Sequence, residues 1–259
     1  MILLLGGTSD ARRIAARLIQ SGRCVLVSQA TEVALEMDPH PNLEVRAGPL
    51  DERSLAMLID ERAIRAIIDA THPYATAIRT MARQVAARKS VAYLSFVRPA
   101  VLDRAEPGLE FAADHQGAAL AAFAHARPVL LTTGTKNLAP YVEQSRRTGL
   151  PLIVRALNYP DSLGACRRAG ILPENVLAGR GPFSVEENRR HIRQFHVGVL
   201  VTKDSGRSGG TTEKLAAARA EGCRVIVVER PAQEKEHVFG DIDALLQALV
   251  EVVERETAE

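Results

Sequence analysis

A glycine-rich turn near the start of the chain has the residue types that bind the phosphates of a dinucleotide. An apolar run at residues 2–5 leads into the turn, and an amphipathic segment at residues 10–20 follows it. Glycine lets a backbone approach a pyrophosphate closely, and the helix that follows offers free N–H groups and a positive dipole. The turn consists of Gly6, Gly7, Thr8 and Ser9. Because Ala11 replaces the third glycine of the GxGxxG pattern, an ordinary tight turn is the alternative.

The end of the second apolar run should select between NADPH and NADH, because this position meets the adenosine ribose in dinucleotide-binding folds. Glu32 could accept a hydrogen bond from a ribose 2′-hydroxyl and favour NADH. Ser28, with Arg12 or Arg13, could instead hold the 2′-phosphate of NADPH, unless both arginines are only solvated helix surface. The residues therefore predict NADPH or NADH and leave the choice open.

A third polar segment, DATHPYA at residues 69–75, follows a predicted strand at residues 66–70. In open α/β sheets, ligands bind at the carboxyl ends of the strands. There His72 could donate a proton and Thr71 could contact the cofactor. The alternative is that Asp69 and Thr71 only cap the next helix.

The second half of the chain has three more polar, glycine-rich strand ends, TTGTKN at 132–137, GRGPFS at 179–184 and TKDSG at 202–206. Parallel topology brings such ends to one edge of a sheet. The cationic residues at this edge would be Lys136, Arg180, Lys203 and Arg207. We therefore predict a polyanionic small molecule as the partner.

The composition argues against nucleic acids, metals and membranes. The 33 basic and 31 acidic residues are too balanced for a general nucleic-acid binder, and aromatic residues make up only 4%. The histidines and the three separated cysteines do not have the spacing of metal ligands. No stretch approaches the roughly 20 apolar residues of a membrane span, and we expect no signal peptide. We therefore expect a cytoplasmic protein with reduced thiols.

Other enzyme classes lack their motifs here. No tyrosine is followed four residues later by the lysine that short-chain dehydrogenases need, and the GxxxxGK[ST] phosphate loop is absent. A GxSxG spacing occurs at residues 206–210. Its Ser208 lies several residues past the predicted strand, whereas a nucleophile elbow turns directly from strand into helix. The sequence therefore disfavours a serine hydrolase.

Short apolar runs alternate with amphipathic segments through most of the chain. Runs such as ILLL, VLLT and VIVV lack strict polar alternation, which suits parallel strands covered on both faces. This rhythm predicts an α/β fold. An irregular stretch at residues 99–108 separates two series of strands, the second starting at residue 129. We therefore predict two Rossmann-like lobes, each with a parallel, doubly wound sheet, with a cleft between them. The predicted lobes cover residues 1–110 and 111–259, with the boundary at 100–128.

Taken together, these motifs resemble the precorrin-6A reductase family of cobalamin biosynthesis, and they occur in family order along almost the whole chain. The matching pieces are LLLGGTSDARRIA (3–15), DATHPYA (69–75), TTGTKNL (132–138), GRGPFS (179–184), VTKDSG (201–206) with Gly209-Gly210 and Glu213-Lys214, and VVERP (227–231). The resemblance implies NAD(P)H-dependent reduction of a carbon–carbon double bond in a ring-contracted corrin precursor. Its substrate carries many carboxylate arms and occurs in cobalt-free and cobalt-containing versions.

The resemblance also implies roles for the matching residues. The phosphates of the cofactor would lie against Gly6, Gly7 and Thr8. The nicotinamide or the macrocycle would lie near Thr71, His72 and Tyr74. Lys203 and His72 are the candidate proton donors, and Asp204 joins them as a catalytic candidate. The substrate-binding residues of the second lobe would be Thr133, Gly134, Lys136, Arg180, Gly181, Phe183, Lys203 and Ser205.

Two further functions remain as alternatives. One is another NAD(P)-dependent oxidoreductase acting on a polyanion, and the other is a non-enzymatic dinucleotide-binding module. Some family members have a glycine–arginine pair after the second strand, where this chain has QATE at residues 29–32. That departure favours the cobalt-precorrin branch. The apolar side of the closing helix, at residues 241–255, should pack on its own sheet, which favours a monomer.

Overall fold

The computed structural model describes residues 1–30, 37–206, 209–231 and 236–258. Within them, contacts define two compact units. The first consists of Met1–Pro99 together with Pro231–Glu259, and the second of Ala100–Arg230. In chain order the elements are β1 (Ile2–Leu5), α1 (Ser9–Gln20), β2 (Val25–Gln29), β3 (Leu43–Ala47), α2 (Glu52–Glu61), β4 (Ala66–Asp69), α3 (Thr76–Arg88), β5 (Ala92–Phe96), β6 (Leu109–Ala112), α4 (His115–Ala124), β7 (Val129–Leu131), α5 (Ala139–Thr148), β8 (Leu152–Ala156), α6 (Pro160–Arg168), a 3₁₀ helix (Pro173–Asn175), β9 (Val176–Ala178), α7 (Val185–Gln194), β10 (Val199–Lys203), α8 (Thr211–Ala220), β11 (Arg224–Val228), β12 (Val238–Phe239) and α9 (Ile242–Ala258).

The described strands of the first unit form a parallel sheet in the order β12-β5-β4-β1-β2-β3. Its strands are apolar on both faces because helices cover both. Leu4 and Ile68 pack with α1 and α9 on one face, whereas Leu3 and Ile67 pack with α2 and α3 on the other. The strand order reverses between β1 and β4, and we call that place the first switch point. Ligands of doubly wound folds bind there.

The described strands of the second unit form another parallel sheet, in the order β6-β11-β10-β7-β8-β9. Helices α7 and α8 cover one face of it, where Ile192 and Leu215 pack against Leu130 and Leu200. The order reverses between β7 and β10, and we call that place the second switch point. The α/β fold class, with two Rossmann-like parallel sheets, is confirmed.

The structure adds elements that the sequence did not predict and changes one boundary. Strand β6 and helix α4 precede residue 129, where we expected the second series to begin, and the short strand β12 pairs with β5. The predicted division assigned residues 111–259 to one lobe. By its contacts, Pro231–Glu259 instead belongs with Met1–Pro99, since β12 extends the first sheet and α9 packs on it.

Candidate functional site

The glycine turn after β1 lies at the first switch point, and its shape requires glycine. Gly6 has φ +145°, and a Cβ there would lie 2.7 Å from the carbonyl oxygen of Ala70. Gly7 is exposed, with only ordinary contact toward Gln29. Gly6 thus packs closely against the end of β4, whereas Gly7 is open to solvent. A backbone of this kind can approach a phosphate without obstruction.

Helix α1 begins directly after this turn, capped by Thr8. The Thr8 hydroxyl accepts a hydrogen bond from the Ala11 amide at 3.2 Å and donates one to the Ala70 carbonyl at 3.0 Å. Ser9 is exposed, whereas Asp10 is buried and pairs with Arg98 at 2.5 Å. Because Arg98 offsets the only acidic charge in the first turn, the amino terminus of α1 keeps its attraction for an anion. These residues fit the pyrophosphate of a dinucleotide.

The segment after β4 is held by a fully buried carboxylate, Asp69. It accepts hydrogen bonds from Arg79 Nε and Tyr93 Oη, each at 2.8 Å, and from the Thr71 amide at 2.9 Å. Burial, followed by the charge of Asp69, raises the pKa of Tyr93, so this phenol stays a donor. The network fixes where the next residues leave the sheet.

Those next residues include three of the predicted site residues. The Thr71 hydroxyl oxygen is buried and makes no hydrogen bond within the described residues. His72 Nδ1 accepts a hydrogen bond from the Tyr74 amide at 3.4 Å, and the two rings lie 5.5 Å apart. With Nδ1 accepting, neutral His72 carries its proton on Nε2. The structure therefore brings Thr71, His72 and the glycine turn together at the first switch point.

At the end of β2, the predicted residue Ser28 meets an arginine that sequence reasoning missed. Ser28 and Arg46 are paired across β2 and β3, and Arg46 Nη1 donates to Ser28 Oγ at 2.7 Å and to the Gly48 carbonyl at 3.1 Å. The other guanidinium nitrogens of Arg46 make no hydrogen bond to the described residues. Arg12 and Arg13, the predicted cations, are exposed on α1, and Glu32 lies outside the described residues. Arg46 thus puts a positive charge beside Ser28.

The loop after β7 forms one side of the second switch point. Thr132 is fixed to β10, because its hydroxyl donates to the Val201 carbonyl at 2.8 Å. The Thr133 hydroxyl oxygen is buried and has no hydrogen-bond partner within the described residues. Gly134 has φ +84°, and Lys136 is exposed beyond it. Because β7 holds the place in the second sheet that β1 holds in the first, Thr133 corresponds in position to the glycine turn of the first unit.

Lys203, at the end of β10, forms the other side. Burial and then the charge of Lys136 lower the pKa of Lys203. His115, on α4, lies near enough that burial and then the Lys203 charge lower its pKa to about 4. His115 is therefore neutral, and its Nδ1 lies 2.9 Å from the hydroxyl of the buried Tyr141. Sequence reasoning missed His115, because it follows a strand that was not predicted.

Asp204, a predicted catalytic residue, is buried and surrounded by donors. Its carboxylate accepts from the amides of Val101, Leu102 and Gly206 at 3.0–3.3 Å and from Arg230 Nη2 at 3.2 Å. The Arg230 Nε also donates to the Asp204 carbonyl at 3.0 Å. These contacts give Asp204 a positioning role, in which it fixes the course of the chain after Lys203.

The remaining predicted residues lie on the loops around this switch point. The Ser205 amide donates to the Thr211 hydroxyl at 3.3 Å. Arg180 and Gly181 are exposed, and Phe183 is half-buried. Phe183 stacks on Arg155, a buried residue of β8, with 4.3 Å from Cζ to the ring centroid. Arg207 and Ser208 lie outside the described residues. The predicted site residues of each unit thus lie around the switch point of that unit.

Two searches of the described residues gave negative findings. They hold no group of three or more His, Cys, Asp or Glu side chains arranged to bind a metal ion. None of their helices combines the length and the apolar character needed to cross a lipid bilayer.

Comparison with known proteins agrees with this geometry. Residues 1–250 match the family described as "Precorrin-6x reductase CbiJ/CobK". The chain is 31% identical to a cobalt-precorrin-6A reductase of Priestia megaterium over 96% of this chain and 98% of that one. It is 33% identical to a precorrin-6A reductase of Rhodococcus erythropolis over 89% of each. The solved structure of a CobK precorrin-6A reductase superposes with a TM-score of 0.77 at 25% identity, covering 97% of this chain and 96% of that one.

Proposed function

The chain belongs to the precorrin-6x reductase family, and from this premise we propose that it reduces precorrin-6A or its cobalt complex with NADPH. It is an oxidoreductase of cobalamin biosynthesis that acts on a corrin precursor. The observation that carries the proposal is the family match over residues 1–250, a range that includes the loops at both switch points. When bound, the dinucleotide supplies a hydride. The substrate gains that hydride at one carbon of a double bond and a proton at the neighbouring carbon.

The first switch point would hold the cofactor. Gly6, Gly7 and Thr8, with the amino terminus of α1, would bind the pyrophosphate, and Ser9 would add an exposed hydroxyl. Arg46 supports NADPH over NADH, because a charged hydrogen-bond donor beside Ser28 matches a 2′-phosphate. The Thr71 hydroxyl, which has no hydrogen-bond partner within the described residues, would be a donor for the nicotinamide end.

The second switch point would hold the substrate and supply the proton. Lys203 is the preferred donor, because its lowered pKa makes the ammonium a stronger acid than an ordinary lysine. His72, with its proton on Nε2, is the second candidate. Asp204 would position Lys203. Substrate carboxylates and ring edges would meet Lys136, Arg180, Thr133, Gly134, Gly181, Phe183 and Ser205.

We also propose a monomeric enzyme of the cytoplasm that needs no nucleic-acid partner. The apolar side chains of α9, the face most suited to dimerisation, are buried within the first unit: Ile242, Leu245 and Leu249.

Four anaerobic reactions test the function. Each combines NADPH or NADH with precorrin-6A or cobalt-precorrin-6A, and absorbance of the reduced nicotinamide is followed. We expect oxidation with NADPH and one of the two substrates. Faster oxidation of NADH would overturn the cofactor proposal alone. No oxidation in any reaction, with folded protein, would overturn the reductase and favour a dinucleotide-binding protein with another polyanionic partner.

A further inference from the structure

Two cations are buried at the carboxyl edge of the second sheet. Arg155, near the end of β8, is 7% exposed, and Lys214, in the first turn of α8, is 8% exposed. Neither forms an ion pair with a carboxylate in the described part of the chain. Burying a charge costs several kcal/mol unless a partner offsets it. Two buried cations that form no ion pair within the described residues therefore need an explanation other than stability.

Both terminal nitrogens of Arg155 donate hydrogen bonds to neutral partners. Nη1 donates to Asn188 Oδ1 at 2.8 Å, and Nη2 donates to His191 Nδ1 at 3.0 Å. Phe183 covers one face of the guanidinium. The remaining donor, Nε, is buried and has no hydrogen-bond partner within the described residues. The guanidinium is thus held by Asn188, His191 and Phe183, and one of its N–H groups has no acceptor among the described residues.

Lys214 lies close to this group. Its ammonium donates to the Gly209 carbonyl at 3.1 Å. Burial, and then the charge of Arg155, lower the pKa of Lys214 to about 8, and burial lowers that of Arg155 to about 10. The charge of Arg155 therefore disfavours the charged form of Lys214, and an anion near both groups would relieve that penalty.

The carboxylates nearby offset these charges only in part, since Glu187 raises the pKa of Arg155 but forms no ion pair with it. Glu187 accepts from the amide and hydroxyl of Ser184 at 2.8 and 2.7 Å and so caps α7. Glu213 raises the pKa of Lys214 but makes no ion pair with it, and its Oε2 is buried without a hydrogen bond in the described residues.

The surrounding loops are those that carry the predicted substrate residues. A Cβ at Gly210 would lie 3.1 Å from Pro182, so the 179–184 loop packs against the turn before α8. Phe183, from the same loop, lies on Arg155. A ligand at Arg155 and Lys214 would therefore also touch the loop that bears Arg180 and Phe183.

We propose that Arg155 and Lys214 form a subsite for one carboxylate arm of the substrate, with Arg155 Nε–H and the Lys214 ammonium as its donors. This inference rests on the proposed function for the identity of the ligand. The anion subsite itself can be tested without turnover.

The direct test follows the Arg155 Nε–H by ¹H–¹⁵N NMR, with the signal assigned by its loss in Arg155→Lys. Propionate is titrated at constant ionic strength, with propionamide as the neutral isostere, and then the corrin substrate is added without cofactor. We expect a saturable shift with propionate and with the substrate, and none with propionamide. Lys214→Met should weaken the propionate response, whereas Lys89→Met, which removes a surface lysine, should not. No shift with either carboxylate, or an unchanged response in Lys214→Met, would overturn the subsite.

Kinetics separate this inference from the function. Lys214→Met should raise KM for the corrin substrate roughly tenfold or more, with kcat and KM for NADPH nearly unchanged. Its melting temperature should equal or exceed that of the wild type, because an unpaired buried cation has been removed. A lowered melting temperature with unchanged KM would assign Lys214 a structural role. A propionate response without reductase activity would support the subsite and overturn the proposed function. Reductase activity without a propionate response would support the function and overturn the subsite.

Discussion

Arg46 is the single residue that bears most directly on the choice of cofactor. Its Nη1 donates to Ser28 and Gly48, and its other nitrogens make no hydrogen bond to the residues that the structure describes. We expect Arg46→Gln to raise KM for NADPH about tenfold, because a charged hydrogen bond contributes about 1.5–3 kcal/mol. KM for NADH should change little, since NADH lacks the phosphate. Steady-state kinetics with both cofactors provide the measurement.

The control for this variant is Arg13→Gln, which removes an exposed arginine of α1. It should leave both KM values unchanged. If Arg13→Gln weakens NADPH binding and Arg46→Gln does not, the 2′-phosphate lies against α1. That position is the one suggested by the sequence, in which Ser28 and Arg12 or Arg13 hold the phosphate.

Lys203 allows a prediction about pH. Because burial and then Lys136 lower its pKa, an ammonium donor at this position loses its proton at a lower pH than ordinary lysine. The kcat should therefore fall as pH rises through that lowered pKa. Lys136→Met removes a neighbouring positive charge and should move this fall to higher pH, whereas Lys136→Arg should leave it in place. Lys203→Met should lower kcat far more than it changes KM for NADPH.

The profile of kcat against pH decides between the two candidate donors. An unchanged alkaline limb in Lys136→Met, together with near wild-type turnover in Lys203→Met, would remove Lys203 from proton transfer and leave His72.

Site residues were predictable from the sequence where a polar segment interrupts an apolar run at the end of a strand. Thr71, Thr133 and Lys203 all lie in such segments. Arg46 and Arg155 stand inside strands, and the sequence alone does not show which residues the adjacent strand brings beside them. The sequence therefore predicted the loops of the site. The site side chains inside strands, Arg46 and Arg155, could be identified only once the pairing of the strands was known.

At the scale of elements, the turn between β1 and α1 depends on Gly6. A Cβ at this position would lie 2.7 Å from a backbone oxygen, which is too close for either atom to shift without strain. The φ of +145° also disfavours any residue with a side chain. We expect Gly6→Ala to lower the free energy of unfolding by roughly 1–3 kcal/mol and to raise KM for NADPH. Gly7→Ala meets only ordinary contact at 3.5 Å and should keep wild-type stability. Urea denaturation of both variants is the measurement, and equal stabilities would contradict the steric argument.

Elements were predictable where their pattern was periodic or continuously apolar. Helix α4 is apolar over residues 118–124 but lacks helical periodicity, and its Ala118, Ala119, Ala122 and Phe123 are buried. Strand β6 spans four residues, with a glutamate among them, and β12 spans two. Both strands depend on tertiary contacts, since short segments form strands only against a neighbour that is already in place.

At the scale of the whole molecule, the two sheets do not correspond to the two halves of the sequence. The first sheet is completed by β12, from the end of the chain, whereas the second is completed by β6, from the segment that precedes its other strands. Parallel pairing requires only matching direction, and so the sequence order of strands does not determine which sheet a terminal strand joins.

The packing of α9 tests this arrangement. Leu245 is fully buried among Ile2, Leu4 and Ile68 of the first unit, so Leu245→Ala should lower the free energy of unfolding by about 2–5 kcal/mol. Hydrogen exchange should rise more in β1 and β4 than in β10, because the lost contacts belong to the first sheet. Leu120→Ala, which truncates a leucine that is 48% exposed, should change neither measurement. A larger rise in β10 would instead place the closing helix with the second sheet, as a division at residue 110 predicts.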